Sequence, residues 1–293
     1  MVSSVSMADQ FANRIVLRAV AVSLAVLAAT PGLAQSPSLV QSEAGGGAGP
    51  VPGCDLAPGG SGRVADIVDG DTLVLADGRI VRLMGVEAPK PFLVRPAADV
   101  GMLAEKARRE LARLIAGKAV EIRLGEQQSD RHGRILAHLF LDDGTWVQHR
   151  MVDAGFARIR PFAGEDSCLS PLRAPENAAR LAGRGLWQNP EFTVISAYDP
   201  SLIERKGLYV SVVGRIISVG RGNRIDFLNF GHNWRRDFTV MVGASVSEAL
   251  AESGMPIETF ATRLVRIRGV IEESGGPAIR LSDPGEIEFL EDD

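Results

Sequence analysis

The sequence is short of cysteine, of long apolar runs and of excess positive charge, and each shortage excludes a class of protein. Two cysteines in 293 residues cannot build a disulfide-dense scaffold or a zinc site of four thiolates. The most apolar stretch, Ala19–Ala29, is shorter than the roughly 18 to 20 residues that a membrane-spanning helix needs. A permanent membrane anchor is therefore not expected.

The overall charge excludes a polycationic coat for binding bulk nucleic acid, because the formal net charge is -4. Any contact with nucleic acid must come from a local arrangement of groups. Hydrophobic residues make up 45 % and charged residues 23 % of the chain, which is typical of soluble globular proteins. The length predicts about two domains.

The first 34 residues have the pattern of an export signal. Arg14 and Arg18 precede the apolar run, and Gly32-Leu33-Ala34 offers small residues for cleavage. This pattern predicts a signal peptide at residues 1–34, cleaved from a periplasmic or secreted protein.

Residues 35–62 are rich in glycine and poor in large apolar side chains, and we expect a flexible linker there. Cys54 lies in this stretch, and Cys168 lies in a proline-flanked segment. In an oxidising compartment the two could form a disulfide; the alternative is two independent thiols.

Hydrophobic periodicity from residue 63 to 188 alternates between strand and helix. It predicts strands at 64–68, 72–75, 80–86, 119–124 and 135–141, and helices at 102–115, 146–154 and 171–182. Five strands with a helix after the third describe a small barrel of the OB type. From residue 205 to 293 a similar order of strands, with one helix, predicts a second, smaller OB-like barrel. The fold class is therefore α+β, mostly β.

Polar residues interrupt the strands of the first domain. Asp69-Gly70-Asp71-Thr72 ends one strand and Glu87 ends the third, and carboxylates placed together in this way suit Ca²⁺. An ordinary turn explains the Asp-Gly-Asp segment equally well. Arg82 and Arg134 each carry a guanidinium group, which can bind a phosphate bidentately. The alternative is that these groups form internal salt bridges to Asp69, Asp71 or Glu87.

Three segments together resemble the staphylococcal nuclease (thermonuclease) family. They are residues 67–72 (IVDGDT), 81–89 (VRLMGVEAP) and 130–134 (DRHGR). The resemblance covers about residues 63–187 and implies an OB barrel with three helices that hydrolyses DNA or RNA with Ca²⁺. It also implies that Asp71, Glu87 and the Ala88 carbonyl hold the metal, with Asp69 in an outer shell, and that Arg82 and Arg134 are catalytic as clamps on the phosphate. Glu87 is one methylene longer than the aspartate usual in the family, and we predict that it is also catalytic by reaching the attacking water.

The sequence departs from the family pattern at Lys90, where active members carry a glutamate proposed as the general base. A lysine side chain is protonated at neutral pH and cannot accept the proton of the attacking water. An inactive or weakly active nucleic-acid-binding module is therefore the alternative function. Lys90 is expected either to contact phosphate or to be a solvated loop residue.

A cluster of aromatic and basic residues in the second domain suggests a surface for single-stranded nucleic acid. Its members are Phe230, Trp234, Arg235 and Arg236. We expect such a surface to bind a single strand because bases stack on aromatic rings beside basic groups. Core aromatics with two surface arginines are the alternative.

Overall fold

The structure is a computed structural model that describes residues 54–90, 98–162 and 166–291. The predicted signal peptide at residues 1–34 lies outside the described residues, as does the predicted linker up to residue 53. All described residues belong to one compact unit.

Five strands of the first domain close into a barrel in the order β1-β2-β3-β6-β5, as the alternating pattern predicts. The β3–β6 pair is parallel and the others are antiparallel. This is the strand order of an OB barrel. The first six strands are β1 (Ala57–Asp69), β2 (Thr72–Leu75), β3 (Ile80–Leu83), β4 (Val86–Glu87), β5 (Ala119–Leu124) and β6 (Ile135–Phe140).

The first strand begins at Ala57, so the prediction of a flexible linker up to residue 62 is wrong for its last six residues. Ser61 and Gly62 pair with Glu121 and Val120 of β5. A Cβ atom at Gly59 would lie 2.8 Å from Leu124 Cγ. Glycine therefore serves here to let two strands approach closely, and not to provide flexibility.

Three helices surround this barrel: α1 (Ala98–Ile115), α2 (Val147–Asp153) and α3 (Asp166–Leu181). The apolar face of α1, with Ala107 and Leu111 fully buried, packs against the barrel core. A two-stranded ladder joins β4 to β7 (Arg158–Ile159). A disulfide links Cys54, before β1, to Cys168 in α3, with the two Cα atoms 4.7 Å apart.

The second domain is built on an eight-stranded sheet with a hydrophobic core of its own. Its strands are β8 (Ile195–Ser196), β9 (Tyr209–Arg215), β10 (Ser218–Gly220), β11 (Ile225–Asn229), β12 (Thr239–Gly243), β13 (Leu264–Ser274), β14 (Gly276–Leu281) and β15 (Ile287–Phe289). Helix α4 (Ala244–Glu252) follows β12, and short 3₁₀ turns lie at Gly185–Gln188, Pro190–Phe192, Pro200–Arg205, Ile257–Phe260 and Pro284–Glu286.

Strands β9 to β14 pair in the same order as the first barrel, and β8 and β15 are additional strands beside β9 and β13. Residues 209–220 form two strands where the first barrel has the single strand β1: β9 pairs with β13, and β10 pairs with β11. The β12–β14 pair is parallel, and α4 lies between β12 and β13. The second domain is therefore a curled sheet of OB-like order whose first strand is interrupted between Arg215 and Ser218.

A buried ionic cluster connects the two domains. Arg268 of β13 is 1 % exposed and forms ion pairs with Glu176 of α3 and with Glu288 of β15. Glu176 also accepts a hydrogen bond from the backbone N–H of Ile159, at 2.7 Å. Across the described ranges, no helix is both long and apolar enough to span a membrane.

Candidate functional site

The Asp-Gly-Asp turn lies between β1 and β2 and is held by hydrogen bonds to its own residues and to the end of β4. The backbone N–H of Asp71 donates to Asp69 Oδ1 at 2.9 Å, and that of Ala88 donates to Asp71 Oδ2 at 2.8 Å. A Cβ atom at Gly70 would lie 2.6 Å from Ala88 Cβ and 2.7 Å from Ala107 Cβ. Only glycine lets these segments pack over the turn, which buries Asp71 completely.

Lys90 is buried beside this turn and contacts both of its carboxylates. Its Nζ atom lies 2.6 Å from Asp69 Oδ2 and 2.8 Å from Asp71 Oδ1. Burial opposes ionisation of Asp71, but the charges of Lys90 and Arg82 outweigh it, so the pKa of Asp71 lies below its usual value. The expectation of a solvated loop lysine is therefore wrong: only 6 % of Lys90 is exposed.

Glu87 is also buried, and two arginines that the sequence analysis missed bind its carboxylate. Arg158, its partner across the β4–β7 ladder, donates from Nη2 at 2.7 Å, and Arg160 donates to the other oxygen. Burial would raise the pKa of Glu87, but the two guanidinium charges lower it. A carboxylate held in this way is a poor proton acceptor. The signal that the sequence offers is an arginine at residue 158 between two apolar residues, Ala157 and Ile159.

Arg82 and Arg134 differ in their partners. Arg134 donates from Nε to Asp130 Oδ2 at 2.7 Å, so the internal salt bridge considered for it does form, but to a residue of its own loop. Arg82, on β3, lies with its guanidinium carbon 5.7 Å from the centre of the Phe162 ring. Its Nε atom is buried and has no hydrogen-bond partner among the described residues.

These side chains surround one cleft of about 690 Å³ at the end of the first barrel. Among the described residues that line it, five side chains are basic and three are acidic, and His132, Gln127 and Phe162 also lie in its wall. The basic ones are Arg82, Lys90, Arg131, Arg134 and Arg160, and the acidic ones are Asp69, Glu87 and Asp130. A surplus of fixed positive charge in a concave site suits an anionic group such as a phosphodiester.

The second domain contributes a side chain directly behind this cleft. The ring of Tyr209, on β9, lies 4.7 Å from the guanidinium carbon of Arg158 and 4.7 Å from that of Arg160. Both arginines hold Glu87, so the ring supports the arrangement through cation–π contacts. Burial raises the pKa of Tyr209 well above its ordinary value, which keeps the hydroxyl neutral.

Comparison with known proteins places this site in a family. Residues 80–189 match the family model described as staphylococcal nuclease homologue. A protein of Escherichia coli described as an uncharacterized endonuclease is 34 % identical over 133 residues, which are 44 % of this chain and 78 % of that protein. The chain belongs to the staphylococcal nuclease family.

Two further relatives are more distant. The thermonuclease of Staphylococcus hyicus is 24 % identical over 130 residues, covering 43 % of this chain and 75 % of the relative. Endonuclease YhcR of Bacillus subtilis is 27 % identical over 137 residues, which are 43 % of this chain and 11 % of the relative. The matched family region, residues 80–189, includes Arg82, Glu87 and Lys90.

The calcium ligands that the staphylococcal nuclease resemblance implies do not fit a metal ion as they are arranged in this structure. Lys90 contacts Asp71, and two arginines bind Glu87, so each proposed carboxylate ligand already has a cationic partner. Within the part of the chain that is described, no three acidic, histidine or cysteine side chains are grouped so as to hold a metal ion. The dependence on Ca²⁺ stays a prediction from the resemblance.

The predicted aromatic surface of the second domain is only partly present. Phe230 is 1 % exposed and packs against Phe238, with ring centres 5.0 Å apart, so it cannot stack on a base. Phe230 directly follows β11, two residues after the buried Leu228, so the alternation of that strand continues to it. Trp234 is 57 % exposed, with Arg235 4.9 Å from its ring centre, and Arg236 is exposed. Binding of nucleic acid by these three residues stays a prediction.

Proposed function

We propose that the first barrel of this staphylococcal nuclease family protein hydrolyses phosphodiester bonds of DNA or RNA in the basic cleft. The observation that carries this proposal is Arg82: it lines the cleft, and its buried Nε atom has no hydrogen-bond partner among the described residues. A guanidinium placed in this way can bind a phosphate and stabilise the charge that grows on its oxygens in the transition state.

The residues around Arg82 define what each group contributes. Lys90 uses two contacts on the carboxylates, and an ammonium has three hydrogens, so one remains for a phosphate oxygen. Arg134 lines the same cleft while its Nε is held by Asp130, and we propose that its remaining donors orient the substrate.

The proposed reaction is slow, because among the described residues each acidic side chain that lines the cleft has a basic partner. Asp69 pairs with Lys90, Glu87 with two arginines, and Asp130 with Arg134. Removing a general base typically costs a factor of about 10² to 10⁴ in rate. We therefore expect turnover well below that of family members with a glutamate at the position of Lys90.

The test compares Arg82→Ala with a control variant, Arg113→Ala. Arg113 is an exposed residue of α1 that pairs with Glu110, so its replacement removes the same charge away from the cleft. Labelled single- and double-stranded DNA and RNA are incubated with each purified full-length protein, with Ca²⁺ or with a chelator. Arg82→Ala should lower the cleavage rate by about 10² to 10³, the usual effect of losing one transition-state donor, and Arg113→Ala should not lower it.

Two results would contradict the proposal. One is equal cleavage by the two variants, which would remove the role of Arg82. The other is binding of nucleic acid by the wild-type protein with no cleavage of any substrate, which would indicate a binding module.

We also propose that the protein works outside the cytoplasm. The disulfide between Cys54 and Cys168 supports this location, because such bonds persist in oxidising compartments. Cell fractionation should recover the protein, with the disulfide intact, from the periplasm or the medium. Recovery of the reduced protein from the cytoplasm would contradict this part of the proposal.

A further inference from the structure

The position of Lys90 differs from that of an ordinary surface lysine. Its side chain is 7 % exposed, and its ammonium bridges a completely buried carboxylate and a partly exposed one. Exposed ion pairs contribute little to the stability of a fold, whereas a buried cation needs oppositely charged partners at hydrogen-bond distance. The Asp69-Gly70-Asp71 turn supplies two carboxylates as these partners.

The charges around the turn are balanced without an ion from solution. Asp69, Asp71 and Glu87 carry three negative charges, and three basic side chains contact them: Lys90, Arg158 and Arg160. A divalent cation is attracted to sites that keep a surplus of carboxylate oxygens. This site has no surplus, and the position between the two aspartates is filled by Lys90 Nζ.

We propose that the Lys90 ammonium is a built-in cation that replaces the divalent metal ion of the family. The cleft then binds a phosphate group without Ca²⁺, and the chain acquires a Ca²⁺ site only when Lys90 is removed. The statement about phosphate rests on the proposed function, whereas the statement about Ca²⁺ depends only on the contacts of Lys90.

The first experiment measures Ca²⁺ binding by calorimetry for the wild type, Lys90→Gln and Lys118→Gln. Glutamine keeps a similar length, removes the charge and adds an oxygen ligand, and Lys118 is an exposed lysine that serves as the control. Lys90→Gln should bind one Ca²⁺ with a Kd of about 0.1 to 1 mM, the range of weak extracellular sites. The wild type and Lys118→Gln should show no binding in that range.

The second experiment uses the wild type alone, so it does not depend on whether a variant folds. A nucleoside 3′,5′-bisphosphate is titrated into the protein in Ca²⁺ and in a chelator. The two affinities should agree within about twofold, which is less than 0.5 kcal/mol, because the proposed phosphate site does not use Ca²⁺. One-to-one Ca²⁺ binding by the wild type, loss of bisphosphate binding in the chelator, or a folded Lys90→Gln that binds no Ca²⁺ would each overturn the proposal.

The two experiments separate this inference from the proposed function. If the bisphosphate binds in neither condition, the phosphate site itself is wrong and the proposed function fails with it. The Ca²⁺ titrations still decide whether Lys90 occupies the position of the metal, because they require no phosphate ligand.

Discussion

Replacing Arg268 by methionine tests whether the two domains unfold as one unit. Arg268 is almost fully buried and bridges Glu176 of the first domain and Glu288 of the second. Burial opposes the charge of Arg268, but the two carboxylates outweigh it and raise the pKa of this arginine. Methionine has a similar length without the charge, so Arg268→Met leaves two buried carboxylates with fewer partners.

The size of the effect follows from what each carboxylate retains. Glu288 keeps Arg266, at 3.0 Å, whereas Glu176 keeps its hydrogen bond from the Ile159 N–H, at 2.7 Å, and no ion pair with another described residue. Removing one partner of a buried pair costs about 3 to 5 kcal/mol, and we expect the lower end because Arg266 remains. At roughly 2 to 4 °C per kcal/mol for a chain of this size, Tm should fall by about 6 to 12 °C.

The assay is urea and thermal unfolding of the full chain, followed by circular dichroism and by tryptophan fluorescence. Arg280→Met is the control, because Arg280 forms an exposed pair of 3.9 Å with Glu272 and should cost less than about 1 kcal/mol. The double variant Glu176→Gln/Arg268→Met should recover part of the loss by removing the unpaired charge. Equal stability of Arg268→Met and Arg280→Met, or two separate transitions in the wild type, would show that Arg268 does not couple the unfolding of the two domains.

Three further predictions concern the site and its anchoring. Tyr209→Leu should cost about 1 to 2 kcal/mol of stability, from two lost cation–π contacts, and should lower kcat for cleavage, whereas leucine at the exposed Tyr198 should leave kcat unchanged. Reducing agent should lower the free energy of unfolding by up to about 4 to 5 kcal/mol in the wild type and have no effect on the Cys54→Ser/Cys168→Ser variant. The pKa of Glu87 is lowered in the folded protein, so its stabilising effect is present above the ordinary carboxyl pKa and is lost as pH falls through the folded value. Urea unfolding between pH 7 and pH 3.5 should therefore show a smaller loss of unfolding free energy per pH unit in Glu87→Gln than in the wild type. Equal pH slopes for the two proteins would contradict this.

The sequence predicts the barrel well because alternation and helical period follow directly from burial of one face. Strands β2 and β5 lie at the predicted residues, and the three helices of the first domain are present. The start of β1 could not be predicted, since its glycines are typical of a linker until the neighbouring strand is known. The interruption between β9 and β10 likewise depends on pairing with different strands.

The residues of the site were easier to name than their partners. The three motifs identify Asp71, Arg82 and Glu87, which the fold brings to one end of the barrel. That Lys90 is buried between two aspartates depends on how the end of β4 packs over the turn. Arg158 pairs with Glu87, and Tyr209 contacts Arg158, through tertiary contacts between residues far apart in sequence. No local pattern indicates which partners these side chains take.

A crystal structure with a nucleoside 3′,5′-bisphosphate shows whether the basic cleft of the first barrel is a phosphodiester site. We expect a phosphate group against the Arg82 guanidinium, with Lys90 still between Asp69 and Asp71. An empty cleft in crystals that hold the bisphosphate elsewhere, or an Arg82 side chain directed away from the phosphate, would contradict this expectation.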